Sequence, residues 1–160
     1  MTTPRAQKTR LLSSLAMLAL AVGGVWFYSV RQTNELFDIG VRAHLQCTVA
    51  GNYKPAATNG QLARDLGGEE HECSAGGKDF ELVVLQRNGT PVSVALTRRG
   101  EQEFYPRSLS ALHVGVRQEY AIAGFVSGSW LAYVVSALPE GENKDLAERL
   151  KPAIERHAEL

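Results

Sequence analysis

The sequence predicts an α+β fold, an N-terminal single transmembrane helix followed by a small antiparallel-sheet domain with flanking helices. Three observations predict it. Residues 11–30 form an uncharged, mostly apolar run. Two pairs of strand-like segments each enclose a tight-turn dipeptide, Asn88-Gly89 and Gly128-Ser129. Apolar residues recur at helical spacing before the first pair and after the second.

At 1.5 Å per residue the run 11–30 reaches about 30 Å, the thickness of a bilayer hydrocarbon core. Arg5, Lys8 and Arg10 precede it with no acidic residue among them, whereas Arg31 is balanced by Glu35 and Asp38. This asymmetry orients the N-terminus inside and the C-terminus outside. Trp26, Phe27 and Tyr28 stand where an aromatic belt meets the outer headgroups. The expected organisation is a cytoplasmic N-terminus over 1–10, a signal-anchor over 11–30 and an extracytoplasmic α+β domain over 31–160. That places the chain in the cytoplasmic (inner) membrane, in contact with the lipid bilayer, its domain in the periplasm or outside. The alternative is a cleaved signal peptide, because Ala19-Leu20-Ala21 satisfies the small-x-small rule and would allow cleavage after Ala21.

Beyond the run, Thr33 or Asn34 is suited to cap a helix over 34–48 in which Leu36, Phe37, Val41, Leu45 and Val49 share a face. The loop 50–60 carries Gly51, Pro55 and Thr58-Asn59-Gly60, and a helical turn near 61–66 ends at Gly67-Gly68. Glu69-Glu70 reads as a solvated patch beside a loop. Residues 80–86 form a strand, Asn88-Gly89 a type I′ turn, and 92–97 the returning strand, with Val92, Val94 and Leu96 on one buried face. The stretch 98–118 is looser, with room for another strand at its start. Residues 120–126 and 130–135 form the second pair, Gly128 taking the first central position of a type II′ turn. Leu146, Leu150 and Ile154, four apart, mark a final helix that Pro152 must kink or interrupt. Four or five strands covered by helices on one face accommodate all of these.

Composition excludes several function classes. Lys plus Arg equals Asp plus Glu at 17 each with no long run of one sign, so a nucleic-acid footprint is missing. The sequence contains no CxxCH, HExxH, GxSxG or phosphate-binding glycine loop, and an enzyme of recognisable class is not expected.

The one chemically suggestive grouping is His44-Leu45-Gln46-Cys47 with His71-Glu72-Cys73. In an oxidising compartment the even cysteine count favours a Cys47–Cys73 disulfide and no cofactor. The alternative is a ligand set of His44, Cys47, His71 and Cys73 for zinc or copper, or a thiol-redox site. A helical HxxC places its pair on one face, and an extended HxC does the same.

Residues 119–125, then Tyr133-Val134-Val135-Ser136-Ala137-Leu138 and an amphipathic helix, resemble the extracytoplasmic tail of bacterial transmembrane anti-sigma factors and related uncharacterised membrane-anchored proteins. In that family a hairpin ending in a Y-x-V-S-x-L-like strand precedes the last helix. The helix after the anchor, with its HxxC element, extends the resemblance over about 34–155. It implies a sensor or partner-binding domain in the envelope. The family's cytoplasmic sigma-binding domain, often with an HxxxCxxC motif, has no counterpart in residues 1–10, so sigma-factor sequestration is not carried over. The expected function is a membrane-anchored, non-enzymatic module with a protein partner in the envelope; the alternatives are a metal or thiol-redox protein and an accessory subunit of a membrane complex.

Overall fold

The computed structural model describes residues 4–56, 60–100 and 110–159; the side chains of residues 4–16, 18–20 and 29 lie outside the described set. The chain divides into two units, Met1–Thr33 and Asn34–Leu160. Helix α1 (Pro4–Ala43) supplies the first unit and begins the second. No cap interrupts it at Thr33 or Asn34, contrary to the expected helix start: Asn34 Oδ1 instead accepts a hydrogen bond from Arg117 Nη2. Among the described residues no helix is long and apolar enough to cross a membrane. Of the run 11–30 on which the anchor expectation rests, half the side chains, those of residues 11–16, 18–20 and 29, lie outside the described ones.

The second unit is a seven-stranded antiparallel sheet in the order β1-β2-β3-β4-β7-β6-β5. Its strands are β1 (Lys54–Pro55), β2 (Glu69–Ala75), β3 (Lys78–Arg87), β4 (Thr90–Arg98), β5 (His113–Arg117), β6 (Tyr120–Ser127) and β7 (Trp130–Ser136). Two three-stranded meanders, β2-β3-β4 and β5-β6-β7, abut through their last strands, with Val94 opposite Val134. Both predicted hairpins form. Asn88 and Gly89 have φ of 51° and 76°, the left-handed pair a type I′ turn demands, while Gly128 (φ 57°) opens the turn between β6 and β7.

The sheet has more strands than the expected four or five, and helices cover both of its faces rather than one. On the first face the end of α1 packs Leu36, Phe37 and Val41 over Leu82, Ala95, Ile122 and Tyr133. Gly40 permits that approach, since a Cβ there would lie 2.5 Å from the Tyr133 ring. A π-helix, His44–Val49, continues directly from α1 and turns His44 and Cys47 inward; Val49 is exposed and not part of the expected face. On the second face α2 (Gln61–Leu66) and α3 (Glu140–Ala158) press Leu62, Ala63, Leu146, Ala147 and Ile154 onto Val83, Val94, Phe125 and Ala132. Because both faces are covered, residues 92–97 of β4 are buried without alternation, correcting the one-faced reading.

Three further expectations change. Glu69-Glu70 belongs to β2, and Glu70 Oε2 accepts a hydrogen bond from the Gly60 amide at 2.6 Å, holding the start of α2 against the sheet. Helix α3 is continuous from Glu140 to Ala158, so Pro152 does not interrupt it, and its apolar stripe packs on β6 and β7. Tertiary burial of Ile154 beyond the proline outweighs the lost backbone bond. Of the looser stretch 98–118, residues 113–117 near its end form edge strand β5, and residues 101–109 lie outside the described ones.

Buried polar groups pin α3 to the sheet. Asn143, 1% exposed, receives the Ser136 hydroxyl at 2.7 Å and donates to the Val134 carbonyl at 3.1 Å. Ser136 Oγ in turn accepts from the Leu138 amide. This chain of bonds fixes where the last strand ends and the last helix begins.

Candidate functional site

The sequence-predicted cysteine and histidine residues gather on the first face of the sheet, where the π-helix crosses β2 and β4. Cys47 and Cys73 are joined in a disulfide, with Cα atoms 6.0 Å apart. The bond ties the π-helix to β2 and closes a loop of 26 residues, worth about 3.5 kcal/mol of stability in the chain-entropy description.

The two histidines part company. His44 is 1% exposed, its Nδ1 2.7 Å from Ser93 Oγ and its ring edge-on to Tyr120 at a centroid distance of 4.7 Å. Burial disfavours the imidazolium and lowers the His44 pKa from 6.5 to about 4. His44 is therefore a neutral core residue that satisfies the hydroxyl of the central strand β4. His71 sits on β2 with its ring over Tyr53 at 4.1 Å and its Nε2 3.7 Å from Glu69 Oε2. Its Nδ1 is buried without a hydrogen-bond partner. With both thiols joined and the histidines turned to Ser93 and Glu69, the four side chains do not form a ligand set. Among the described residues no group of three or more His, Cys, Asp or Glu is placed to hold a metal.

A larger feature adjoins this cluster. Where β1 is only two residues long, an open cleft of about 1060 Å³ forms around the ends of β2, β3 and β4. Register explains its chemistry. Lys54, Glu72, Glu81 and Leu96 stand in one row across the strands, so two carboxylates face one another directly, a pairing that costs stability within a sheet. Lys54 flanks the row on one side, and His157 at the end of α3 meets Glu81 Oε2 at 2.9 Å on the other. In the next row Ser74 donates to Asp79 Oδ1 at 2.5 Å, and Arg98 lies over the Trp130 ring at 4.6 Å. Cys73 and Tyr53 also line the cleft. Its lining is about equally polar and apolar, with charges of both signs, Lys54, Lys78 and Arg98 beside Glu72, Asp79 and Glu81.

Sequence reading missed this cleft because its residues are scattered over 51–130 and converge only through strand register. The legible signal was the run of charged residues Glu69, Glu70 and Glu72 beside His71 and Cys73. In the first unit, Trp26, Phe27 and Tyr28 are 70%, 68% and 44% exposed.

Compared with protein-family models, curated proteins and solved structures, the chain matches none.

Proposed function

We propose that this chain is a single-pass membrane-anchored envelope protein whose disulfide-stapled α+β domain senses a signal or binds a protein partner, in the manner of the extracytoplasmic region of transmembrane anti-sigma factors. One observation carries the reading. At 100° per residue, Met17, Val22, Val25, Trp26, Phe27 and Val30 fall on every side of α1, and all are exposed, from 41% to 73%. A helix apolar all round is at home inside a protein core or in lipid, not in water. The basic residues Arg5, Lys8 and Arg10 before the run set its direction, leaving the domain in an oxidising compartment where a Cys47–Cys73 bond persists. The mixed-charge cleft suits a polypeptide segment better than an apolar small molecule, which supports a protein partner.

The test is to express the full chain with a C-terminal epitope in a bacterium and wash its membranes at alkaline pH. Spheroplasts are then treated with added protease. The expected result is a carbonate-resistant chain of uncleaved mass whose epitope is lost to protease in intact spheroplasts. Recovery of a soluble chain beginning after Ala21, or an epitope protected until the spheroplasts are lysed, overturns it.

A further inference from the structure

The two edges of the sheet are finished differently. At one end β1 is two residues long, Lys54 and Pro55, and a lysine and a proline are both devices that keep a further strand from adding. At the other end β5 has neither, and among the described residues no strand pairs with its outer side. Val116 is 51% exposed there. The guanidinium of the strand is turned aside: Arg117 donates to Asn34 Oδ1 and lies 3.8 Å from Asp38 Oδ1, both on α1. An edge of this kind invites pairing with another chain unless something covers it.

What covers it follows from where the chain enters the domain. Asn34 and Asp38 meet Arg117, and Phe37 lies on Gly115, both on β5; Leu36 packs at Gly124 of β6, and Gly40 at Tyr133 of β7. The π-helix then carries Cys47 to Cys73 on β2. The chain thus crosses the first face from the β5 edge toward the β1 edge, and Asn34, where the second unit begins, stands at β5. Val30, the last residue of the apolar run, is four residues earlier. Four residues span about 6 Å as helix and at most about 14 Å fully extended. A headgroup layer is itself about 6 Å deep, half the difference between the full thickness of a bilayer and its hydrocarbon core. The tether therefore keeps β5 within reach of that layer, whereas β1 lies six strands away, roughly 29 Å at about 4.8 Å per strand.

We propose that the β5 edge is a lipid-contact surface, resting on the outer headgroups of the bilayer in which the chain is anchored, with the β1 edge turned toward the envelope. The inference rests on the anchor reading of residues 11–30 and adds to it the side of the domain that meets lipid. Headgroup oxygens and interfacial water satisfy the outward amides and carbonyls of β5, which hydrocarbon cannot, so the strand lies at the interface and not below it. Covered in this way, the edge is closed to strands from other chains. Its cation is already paired with Asp38, so the contact is set by the tether and not by anionic lipid. The part of the cleft that Tyr53, Lys54 and Glu72 line is then held away from the membrane, open to a partner in the envelope rather than to one buried in the bilayer.

The experiment reconstitutes the full chain into vesicles of phosphatidylethanolamine and phosphatidylcholine that carry a nitroxide on a fraction of the headgroups. Both native cysteines are joined, so a thiol introduced by Val116→Cys, or by Lys54→Cys at the opposite edge, alone takes a maleimide fluorophore. Both positions are exposed, and Gln118→Cys in the exposed turn after β5 is a second probe of the same edge if Val116→Cys does not fold. In vesicles recovered by flotation, probes at 116 and 118 should lose most of their fluorescence relative to nitroxide-free vesicles and the probe at 54 little, with or without added phosphatidylglycerol. Equal loss at the two edges, loss confined to position 54, or no loss at either overturns the inference while leaving the anchor standing. A chain that does not float with the vesicles fails the anchor reading instead, and the inference with it.

Discussion

The two faces of the sheet are held in different ways. On the second face α2 and α3 supply Leu62, Leu146, Ala147 and Ile154 to a continuous apolar layer over Val83, Val94 and Phe125, with only the Asn143 network as polar pins. On the first face the apolar contribution of α1 is short, Leu36 to Val41, and the π-helix that follows buries a histidine and a cysteine instead of aliphatic side chains. What apolar packing lacks there is made up by a covalent bond and a buried His44–Ser93 contact. The difference shows that two helical layers on one sheet can be equally buried while resting on interactions with different chemical sensitivities. The second layer responds to cavities, and the first to redox state and pH.

The largest effect is expected from breaking the apolar layer. Phe125→Ala should cost about 4 kcal/mol in urea unfolding, by the same amount whether the disulfide is intact or reduced, since Phe125 belongs to the opposite cluster. A cost that depends on the disulfide would mean the two faces are not independent. Next comes the staple: replacing Cys47 and Cys73 together by alanine should remove about 3.5 kcal/mol, read as a lower urea midpoint. No loss of stability would show that packing alone holds the π-helix.

Acid sharpens the contrast further. The His44 pKa falls from 6.5 to about 4 on folding, so the unfolded chain binds a proton that the folded chain refuses. The contribution of the neutral imidazole is complete above pH 6.5 and is lost as pH falls toward 4, the loss reaching about 2 kcal/mol by pH 5. His44→Gln, which keeps a partner for Ser93, should flatten the stability slope between pH 7 and 5, and an unchanged slope would assign it to other groups. The smallest effect of this series is Asn143→Ala, expected to cost about 1.5 kcal/mol by leaving the Ser136 hydroxyl and Val134 carbonyl without their partner. A neutral result in thermal unfolding would mean that water replaces the side chain.

These contrasts also explain what the sequence disclosed. The hairpins around Asn88-Gly89 and Gly128-Ser129 were legible because a two-residue turn is specified by the residues within it. Leu36, Phe37 and Val41, and likewise Leu146 and Ile154, were legible because helical periodicity is local. β2 was hidden because its outward residues Glu70, Glu72 and Ser74 leave a weak apolar signal, and β1 is too short to carry any. Ser93 and Thr97 looked outward-facing by residue type; they are buried because His44 and the Asp79 carbonyl on the neighbouring strand satisfy them, a fact no single segment contains. The Cys47–Cys73 pairing followed from compartment and count, but the cleft beside it depends on register between distant strands and could not be read from order along the chain.

The junction of the two meanders has a kinetic consequence. Neighbouring strands within each meander are joined by turns of two residues, so those pairings form at little loop-closure cost, whereas β4 and β7 meet across the whole of the second meander. The seam at Val94 and Val134 is thus where the search for the native topology closes, and it places the folding nucleus at the centre of the sheet rather than in either hairpin. Conservative truncations there should slow refolding nearly in proportion to the stability they remove, while truncations in β2 or β5 should chiefly hasten unfolding. Each half of the sheet can be assembled early, and the protein is committed to its fold only when the two halves zip together.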